Sequence, residues 1–277
     1  MKKIGILHPG EMGVSIAASA ISSGHLVYWV STGRSEQTRI RADQQHLIEL
    51  HSLNELCQIC ETIISICPPD AAEEVARSVI AEGYIGTYVD ANAISPQRAK
   101  RLHQIMEENG IHFIDGSVIG GPAWKSGETF LYLSGNGVEV ISDCFQNGPL
   151  ETKIIAEEIG KASALKMCYA AYSKGTTALL ASILATAEAF DVREDLYRQW
   201  DMDNPEFREQ VNLRVKRVAA KAWRFAGEME EIAAAFKEAR LPGGFHQAAG
   251  EIYQRMSNFK NSGVDTMEEL ITTITMK

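Results

Sequence analysis

A doubly wound α/β sheet followed by an all-α domain is the fold class that this 277-residue sequence predicts. Three observations carry that reading. Apolar segments of strand length alternate with segments of helix length through the first half. The strand-like segments stop near residue 160. The second half opens with KASALKMCYAAYSKGTTALLASILATAEAF, a run that can be helical for about 30 residues, on the order of 45 Å.

In chain order, KKIGILH is the first strand and EMGVSIAASAISSG the first helix, with Met12, Ile16 and Ala20 on one stripe and Gly24 as its stop. HLVYWV is the next strand, and SEQTRIRAD a polar helix that Ser35 can cap. After a stretch of weak signal comes ETIISICPP, a β-branched run of the kind that a parallel sheet buries on both faces. DAAEEVARSVIAEG reads as helix and TYVDAN as strand. SPQRAKRLHQIMEENG reads as a helix capped by Ser95, with Pro96 in its first turn. IHFIDGS and TFLYLSG complete the strands. Further helices are expected around 206–225, 226–240 and 246–259, broken by DMDNP and RLPGG. The expected division is 1–160, a dinucleotide-binding domain, and 161–277, a helical substrate and dimerisation domain.

The formal net charge is -9, which argues against general nucleic-acid binding but leaves room for a basic pocket holding one phosphorylated small molecule. No apolar run reaches the roughly 20 residues of a membrane span. The apolar run of MKKIGILHPGEMG is too short for a signal peptide. Cys57 and Cys60 form a CxxC with no second pair, so no metal site is expected. They read as packing thiols beside a buried strand, with a redox pair as the other reading. The expected compartment is the reducing cytoplasm.

HPGEMG, between the first strand and first helix, has the makings of a Rossmann-type phosphate cradle. Such a cradle needs a tight turn, a bare backbone beside the pyrophosphate and a helix N-terminus aimed at its charge. Gly10 can admit the close approach and Gly13 can let the helix pack on the strand, so the cofactor is expected over Gly10, Glu11, Met12 and Gly13. The first glycine of the usual pattern is absent; His8 stands there. After the second strand, VSTGRSEQTR has no carboxylate before Glu36. It has Ser31, Thr32, Arg34 and Ser35 instead. Hydroxyls and a guanidinium suit a 2′-phosphate, so NADP(H) is favoured over NAD. Arg39 and Arg41 read as a solvated helix face.

Two more loops follow strands on the substrate side. Pro68 and Pro69 make a rigid wall with few donors, and Asn92 in DANAISP offers a donor and an acceptor near a nicotinamide. In DGSVIGGPAWKSGETFLYLSG, Gly120 and Gly121 cost chain entropy unless the backbone takes an unusual conformation. Exposed N–H groups there suit a carboxylate; an ordinary turn is the other reading.

The order HPGEMG, CPP, DANAISP, DGSVIGGPAWKSGETFLYLSG, GKASALKM resembles the β-hydroxyacid dehydrogenase family. That family includes 3-hydroxyisobutyrate dehydrogenases and the N-terminal part of 6-phosphogluconate dehydrogenases. The tail AWRFAGEMEEIAAAFKEARLPGGFHQAAGEIY resembles a branch with a short, divergent C-terminal domain. The pattern GLGxMG falls on His8 to Gly13. DxPVSGG falls on Asp115 to Gly121, with Ser117 for Pro and Ile119 for Ser. GxGxxxKxxNN falls on Gly160 to Ala170, with Ala162 for the second Gly and Tyr169 and Ala170 for the Asn pair.

The resemblance implies an NADP(H)-dependent dehydrogenase acting on CH–OH, with Lys166 as general acid/base on the substrate oxygen. A lysine on a mostly apolar helix that faces a cleft loses solvation, its pKa falls, and it can take a proton from an alcohol or return one. Ser163, Lys166, Ala170, Ser173 and Thr177 share one helix stripe by spacing. The substrate, a small carboxylate-bearing molecule, is expected against Asn92, Gly120, Gly121, Tyr169 and Ser173. Lys174 reads as a lysine that snorkels to solvent. The family's further lysine, in a KDL pattern, falls near Gly227–Met229, where this chain has none. His246 reads either as far-wall lining or as structural. A homodimer through the helical domain is expected. An imine reductase-like enzyme and a non-catalytic NADP-binding sensor are the alternatives.

Overall fold

The computed structural model describes residues 1–260 and 262–276. Its strands are β1 (Lys3–Ile6), β2 (Leu26–Val30), β3 (Ile48–Leu50), β4 (Thr62–Ser65), β5 (Thr87–Asp90), β6 (His112–Ile119), β7 (Phe130–Ser134) and β8 (Glu151–Ala156). They form one sheet in the order β3-β2-β1-β4-β5-β6-β7-β8. Every neighbouring pair is parallel except β6 with β7. The chain winds outward one way from β1 through β2 to β3, and the other way from β4 onward. Loops after β1 and β4 therefore diverge, which opens a crevice at the carboxyl ends of the strands.

Side chains show why the sheet is covered twice. Successive strand residues point to opposite faces. Ile64, Val89 and Ile114 join one core with Val14, Ile16 and Ala17 of α1 (Glu11–Ser22). Their neighbours Ile63, Tyr88 and Phe113 join a second core. That core also holds Leu56 of α3 (Leu53–Ile59), Ala76 and Val79 of α4 (Ala72–Ala81), and Leu102 of α5 (Pro96–Glu108). α2 (Glu36–Gln44) buries only Ala42, as its polar sequence requires. Ser35 caps it by accepting from Thr38 N at 3.3 Å. α5 starts at Pro96 as expected, but Ser95 makes no side-chain cap bond. A short α6 (Glu139–Ser142) follows β7.

Three elements escape the hydrophobic pattern. β3 has three residues and buries none fully. β8 is an edge strand whose Ile154 and Ile155 are exposed, so it lacks the burial that marks interior strands. The third is α3, a short helix in the stretch of weak signal, and the CxxC lies on it and just beyond it. Both thiols are free, and burial pushes Cys57 up to about 11 and Cys60 up to about 12. Raised thiols of this kind suit packing better than exchange.

The chain divides into two compact units, Met1–Lys166 and Met167–Lys277, so the boundary falls inside α7 (Lys161–Ala170). The second unit contains α8 (Thr176–Ala189), α9 (Arg193–Asp203), α10 (Phe207–Ala219), α11 (Ala222–Glu238), α12 (Gly244–Arg255) and α13 (Met267–Thr275). The break expected near 225/226 lies instead at Ala220–Lys221, and α11 runs on through Gly227. No helix among the described residues is long and apolar enough to cross a membrane.

A π turn at Ala171–Gly175 interrupts the long helical run. Such turns displace carbonyls from their usual partners. Side chains meet that need: Arg214 donates to Ser173 O at 2.7 Å, and Tyr253 donates to Lys174 O at 2.7 Å. Arg214 also donates to Thr177 Oγ1 at 2.7 Å, so Thr177 is buried under an arginine and is no open lining. Lys174 does not snorkel. Its Nζ pairs with Glu228 and lies 4.5 Å from the centre of the Phe225 ring. His246 is buried, its ring 4.2 Å from Phe236 and 5.1 Å from Phe245.

Candidate active site

The turn from β1 to α1 is built around its glycines. Gly10 N donates to His8 O at 2.8 Å. A Cβ at Gly13 would lie 2.1 Å from that same oxygen, so no other residue lets the helix start so close to the strand. Gly10 has open space on the side where a Cβ would project. α1 begins without a side-chain cap, so its first-turn N–H groups face outward for an anion. Glu11 is exposed and Met12 packs on the core, so what they bring to an anion is main-chain N–H.

Two buried nitrogens beside this turn have no hydrogen-bond partner: His8 Nδ1 and Arg34 Nε. Arg34 reaches back from the end of β2 and donates through Nη2 to Leu7 O at 3.2 Å. Burial, and then the Arg34 charge, lower the His8 pKa to about 4, so its ring is neutral. An uncapped helix start and an open glycine fit a dinucleotide phosphate.

The hydroxyls expected to join Arg34 are already engaged. Ser31 donates to Leu50 O at 3.4 Å, Thr32 donates to His51 O at 2.6 Å, and Ser35 caps α2. A phosphate needs donors, and Arg34 is the side chain of this group that keeps one unpaired. Arg39 stays partly exposed, as a helix-face residue does, and also donates to Ser31 O at 2.9 Å and to Glu49 Oε1 at 3.2 Å.

Asn92 is 2% exposed and its amide is engaged internally. Its Oδ1 accepts from Cys67 N at 2.5 Å. Its Nδ2 donates to Ser65 Oγ at 3.2 Å and to Asp90 Oδ2 at 2.9 Å. Asn92 thus fastens the loop after β4, where Pro68 is exposed and Pro69 starts a 3-10 turn, to the end of β5. Burial raises the Asp90 pKa to about 7, against two hydrogen bonds from Asn92.

Lys166 is half-buried and donates to Val118 O of β6 at 2.7 Å. Its helix is seated by Asp115 of the same strand. The Asp115 carboxylate accepts from Gly160 N at 2.9 Å, Ser163 N at 3.1 Å, Ser163 Oγ at 2.6 Å and Ser134 Oγ at 2.8 Å. Sequence reasoning does not single out Asp115, although the family motif starts on it. A carboxylate at a helix N-terminus is a capping signal only when the strand that carries it is known to be adjacent. Ser163 is therefore buried on Asp115 and is not part of an open stripe.

Just beyond Val118, Gly120 has φ +126, and a Cβ there would lie 2.3 Å from Glu128 O. The loop needs glycine at that position. Gly121 is exposed, and its carbonyl accepts from Thr129 Oγ1 at 2.8 Å. Ala123 N donates to Ser15 Oγ at 2.8 Å, which ties this loop to α1. In the second unit, Tyr169 is half-exposed and Ser173 lies in the π turn. Among the described residues, no group of three His, Cys, Asp or Glu is arranged to hold a metal.

The chain is similar to known proteins in sequence and in fold. Residues 3–144 match the NAD binding domain of 6-phosphogluconate dehydrogenase, and residues 187–256 match a domain of unknown function, DUF1932. An uncharacterised 28.5 kDa protein of Methanothermus fervidus is 26% identical over 72% of this chain and 76% of its own length. The mitochondrial 3-hydroxyisobutyrate dehydrogenase of Drosophila melanogaster is 23% identical over 52% of this chain, and the match spans 46% of that enzyme. Among solved structures, the Mycobacterium tuberculosis 3-hydroxyisobutyrate dehydrogenase with L-serine superposes with TM-score 0.71 at 16% identity, covering 100% of both chains. An imine reductase from Myxococcus stipitatus in complex with NADP+ superposes with TM-score 0.58 at 15% identity, covering 99% of this chain and 100% of that one.

Proposed function

The chain belongs to the β-hydroxyacid dehydrogenase-like family that carries the NAD binding domain of 6-phosphogluconate dehydrogenase, and from that premise we propose that it is an NADP(H)-dependent oxidoreductase interconverting a small hydroxy acid and its oxo acid. The observation that carries the reading is the tether of Lys166 to Val118 O, two residues before an exposed glycine pair, on a helix that Asp115 seats.

Gly10 to Gly13 hold the cofactor diphosphate, Arg34 the 2′-phosphate, and Pro68–Pro69 wall the site. A bound nicotinamide cofactor would supply the hydride acceptor or donor for the carbinol carbon. Gly120 and Gly121 offer main-chain N–H groups to the substrate carboxylate. One Lys166 N–H is spent on Val118 O, which orients the nitrogen. In its neutral form, the remaining lone pair takes the hydroxyl proton as the carbonyl forms. In reduction, the ammonium returns that proton to the nascent alkoxide. Asn92 acts by fixing the loop that carries Pro68. Tyr169 stands where the family pattern has Asn.

Arg34 distinguishes the cofactors. Arg34→Ala is expected to weaken NADPH roughly tenfold or more, since a charge-assisted bond to phosphate is lost, while NADH is little affected. Fluorescence titration with both nucleotides checks this; equal loss for the two would reject the 2′-phosphate role.

A homodimer in the cytoplasm forms part of this reading. The second unit exposes Tyr169, Tyr172, Leu179, Phe190 and Phe245, large apolar side chains of the kind that a subunit interface covers. Light scattering should give twice the 30.5 kDa chain mass; a monomer across micromolar concentrations would remove this element. A second reading, imine reduction, draws on the likeness in fold to imine reductases.

A further inference from the structure

We propose that Ser15 is a positioning residue for the reaction: it pins the loop that offers Gly120 and Gly121 to the substrate carboxylate against the helix that starts at the cofactor cradle. This rests on the function proposed above and adds a residue to it.

α1 carries Ser15, Ser19 and, just past its end, Ser23 on one face. Each hydroxyl makes two bonds. It donates to a carbonyl of its own helix: Ser15 to Met12 O at 2.8 Å, Ser19 to Ser15 O at 3.1 Å and Ser23 to Ser19 O at 3.0 Å. It also accepts a main-chain N–H from far along the chain. Ala123 N donates to Ser15 at 2.8 Å, Leu150 N to Ser19 at 3.2 Å and Asn147 N to Ser23 at 3.0 Å. The bond to the helix fixes each hydroxyl, so its lone pairs face one direction.

The three serines hold different segments. Ser19 and Ser23 hold the turn before β8, where a Cβ at Gly148 would lie 2.6 Å from Ser19 Cα. That is close packing of a turn on a helix. Ser15 holds the loop after β6. Ser15 and Ala123 are both wholly buried, so water does not replace the hydroxyl on that N–H.

That loop is fixed at three points. Val118 O accepts from Lys166 at one end, and Ala123 N donates to Ser15 at the other. Between them Gly121 O accepts from Thr129 Oγ1. The Gly120–Gly121 peptides thus lie between the acid/base amine and the cofactor helix. A glycine pair is the backbone least able to keep its own direction, and Ser15 supplies the restraint beyond the end of the strand. Freeing that end leaves Lys166 on Val118 O and leaves the cradle at Gly10–Gly13. It changes the aim of the N–H groups that meet the carboxylate, so substrate affinity falls ahead of turnover.

The test is steady-state kinetics of the full chain with NADPH and with glyoxylate, pyruvate, malonic semialdehyde and succinic semialdehyde. The variants are Ser15→Ala, Ser15→Cys, Ser19→Ala and Ser23→Ala. Each alanine takes the acceptor from one main-chain N–H, so Ser19→Ala and Ser23→Ala measure what that loss does to the fold. Both should lower the thermal midpoint and keep KM within about twofold. Ser15→Ala should raise KM for the acid roughly tenfold, with kcat and NADPH affinity within about threefold. Ser15→Cys, whose thiol accepts weakly, should fall between and carries the test if Ser15→Ala does not fold. An unchanged KM in the Ser15 variants, or a rise that Ser19→Ala shares, would overturn the Ser15 assignment and leave the proposed function standing. No turnover of any of the four acids by the unmodified chain would overturn both.

Discussion

Lys166→Ala should bind NADPH as the unmodified chain does and lose turnover by about a thousandfold. Removal of a positioned general acid/base ordinarily costs a factor of roughly 10²–10⁴. A loss in the middle of that range is expected, because the amine is fixed by Val118 O. The cradle at Gly10–Gly13 makes no use of Lys166, so nucleotide affinity separates a loss of chemistry from a loss of fold. Activity within about tenfold of the unmodified chain would remove Lys166 from the mechanism.

Asp115→Ala should give the largest loss of stability. It strips the acceptor from four donors that are otherwise buried, Gly160 N, Ser163 N, Ser163 Oγ and Ser134 Oγ. An unsatisfied buried donor costs about 1–3 kcal/mol, so a total of about 4 kcal/mol is a conservative expectation. In a chain of this size that lowers the thermal midpoint by roughly 10 °C. The start of α7 frays with it, so turnover falls as well. A midpoint within about 2 °C of the unmodified chain would show that the helix does not depend on this carboxylate.

The same buried carboxylates set a pH dependence. Burial raises both Asp90 and Asp115 above their ordinary pKa, and Asp90 reaches about 7. The folded chain then holds protons that the unfolded chain has released. Stability from this source is complete below about pH 4 and is lost as pH rises towards 7, by at most roughly 4 kcal/mol for Asp90. Asp90→Asn should flatten that slope in urea unfolding followed from pH 4 to 8.

The interior strands were legible because burial on both faces favours a run of β-branched and apolar residues: Thr62–Ser65, TIIS, is buried throughout. β8 was not, because an edge strand tolerates Glu151, Thr152 and Lys153. Glycines were legible where a backbone approach demands them, at Gly13 and Gly120. Partnerships between side chains distant in sequence were not. Asn92 looked like a ligand group and proves to be a strut between two loops. Lys174 looked solvated and pairs with Glu228, 54 residues away. Asp115 reaches Ser163 across 48 residues, a contact that no local pattern encodes.

The most direct test of the account is transfer of deuterium from C4-labelled NADPH to product, followed by mass spectrometry over a panel of small oxo acids and cyclic imines. The account predicts label on the carbon that bears the new hydroxyl of at least one acid, lost in Lys166→Ala. NADPH bound but label transferred to none of the acids would contradict it, and label on an imine carbon alone would assign the chain to imine reduction instead.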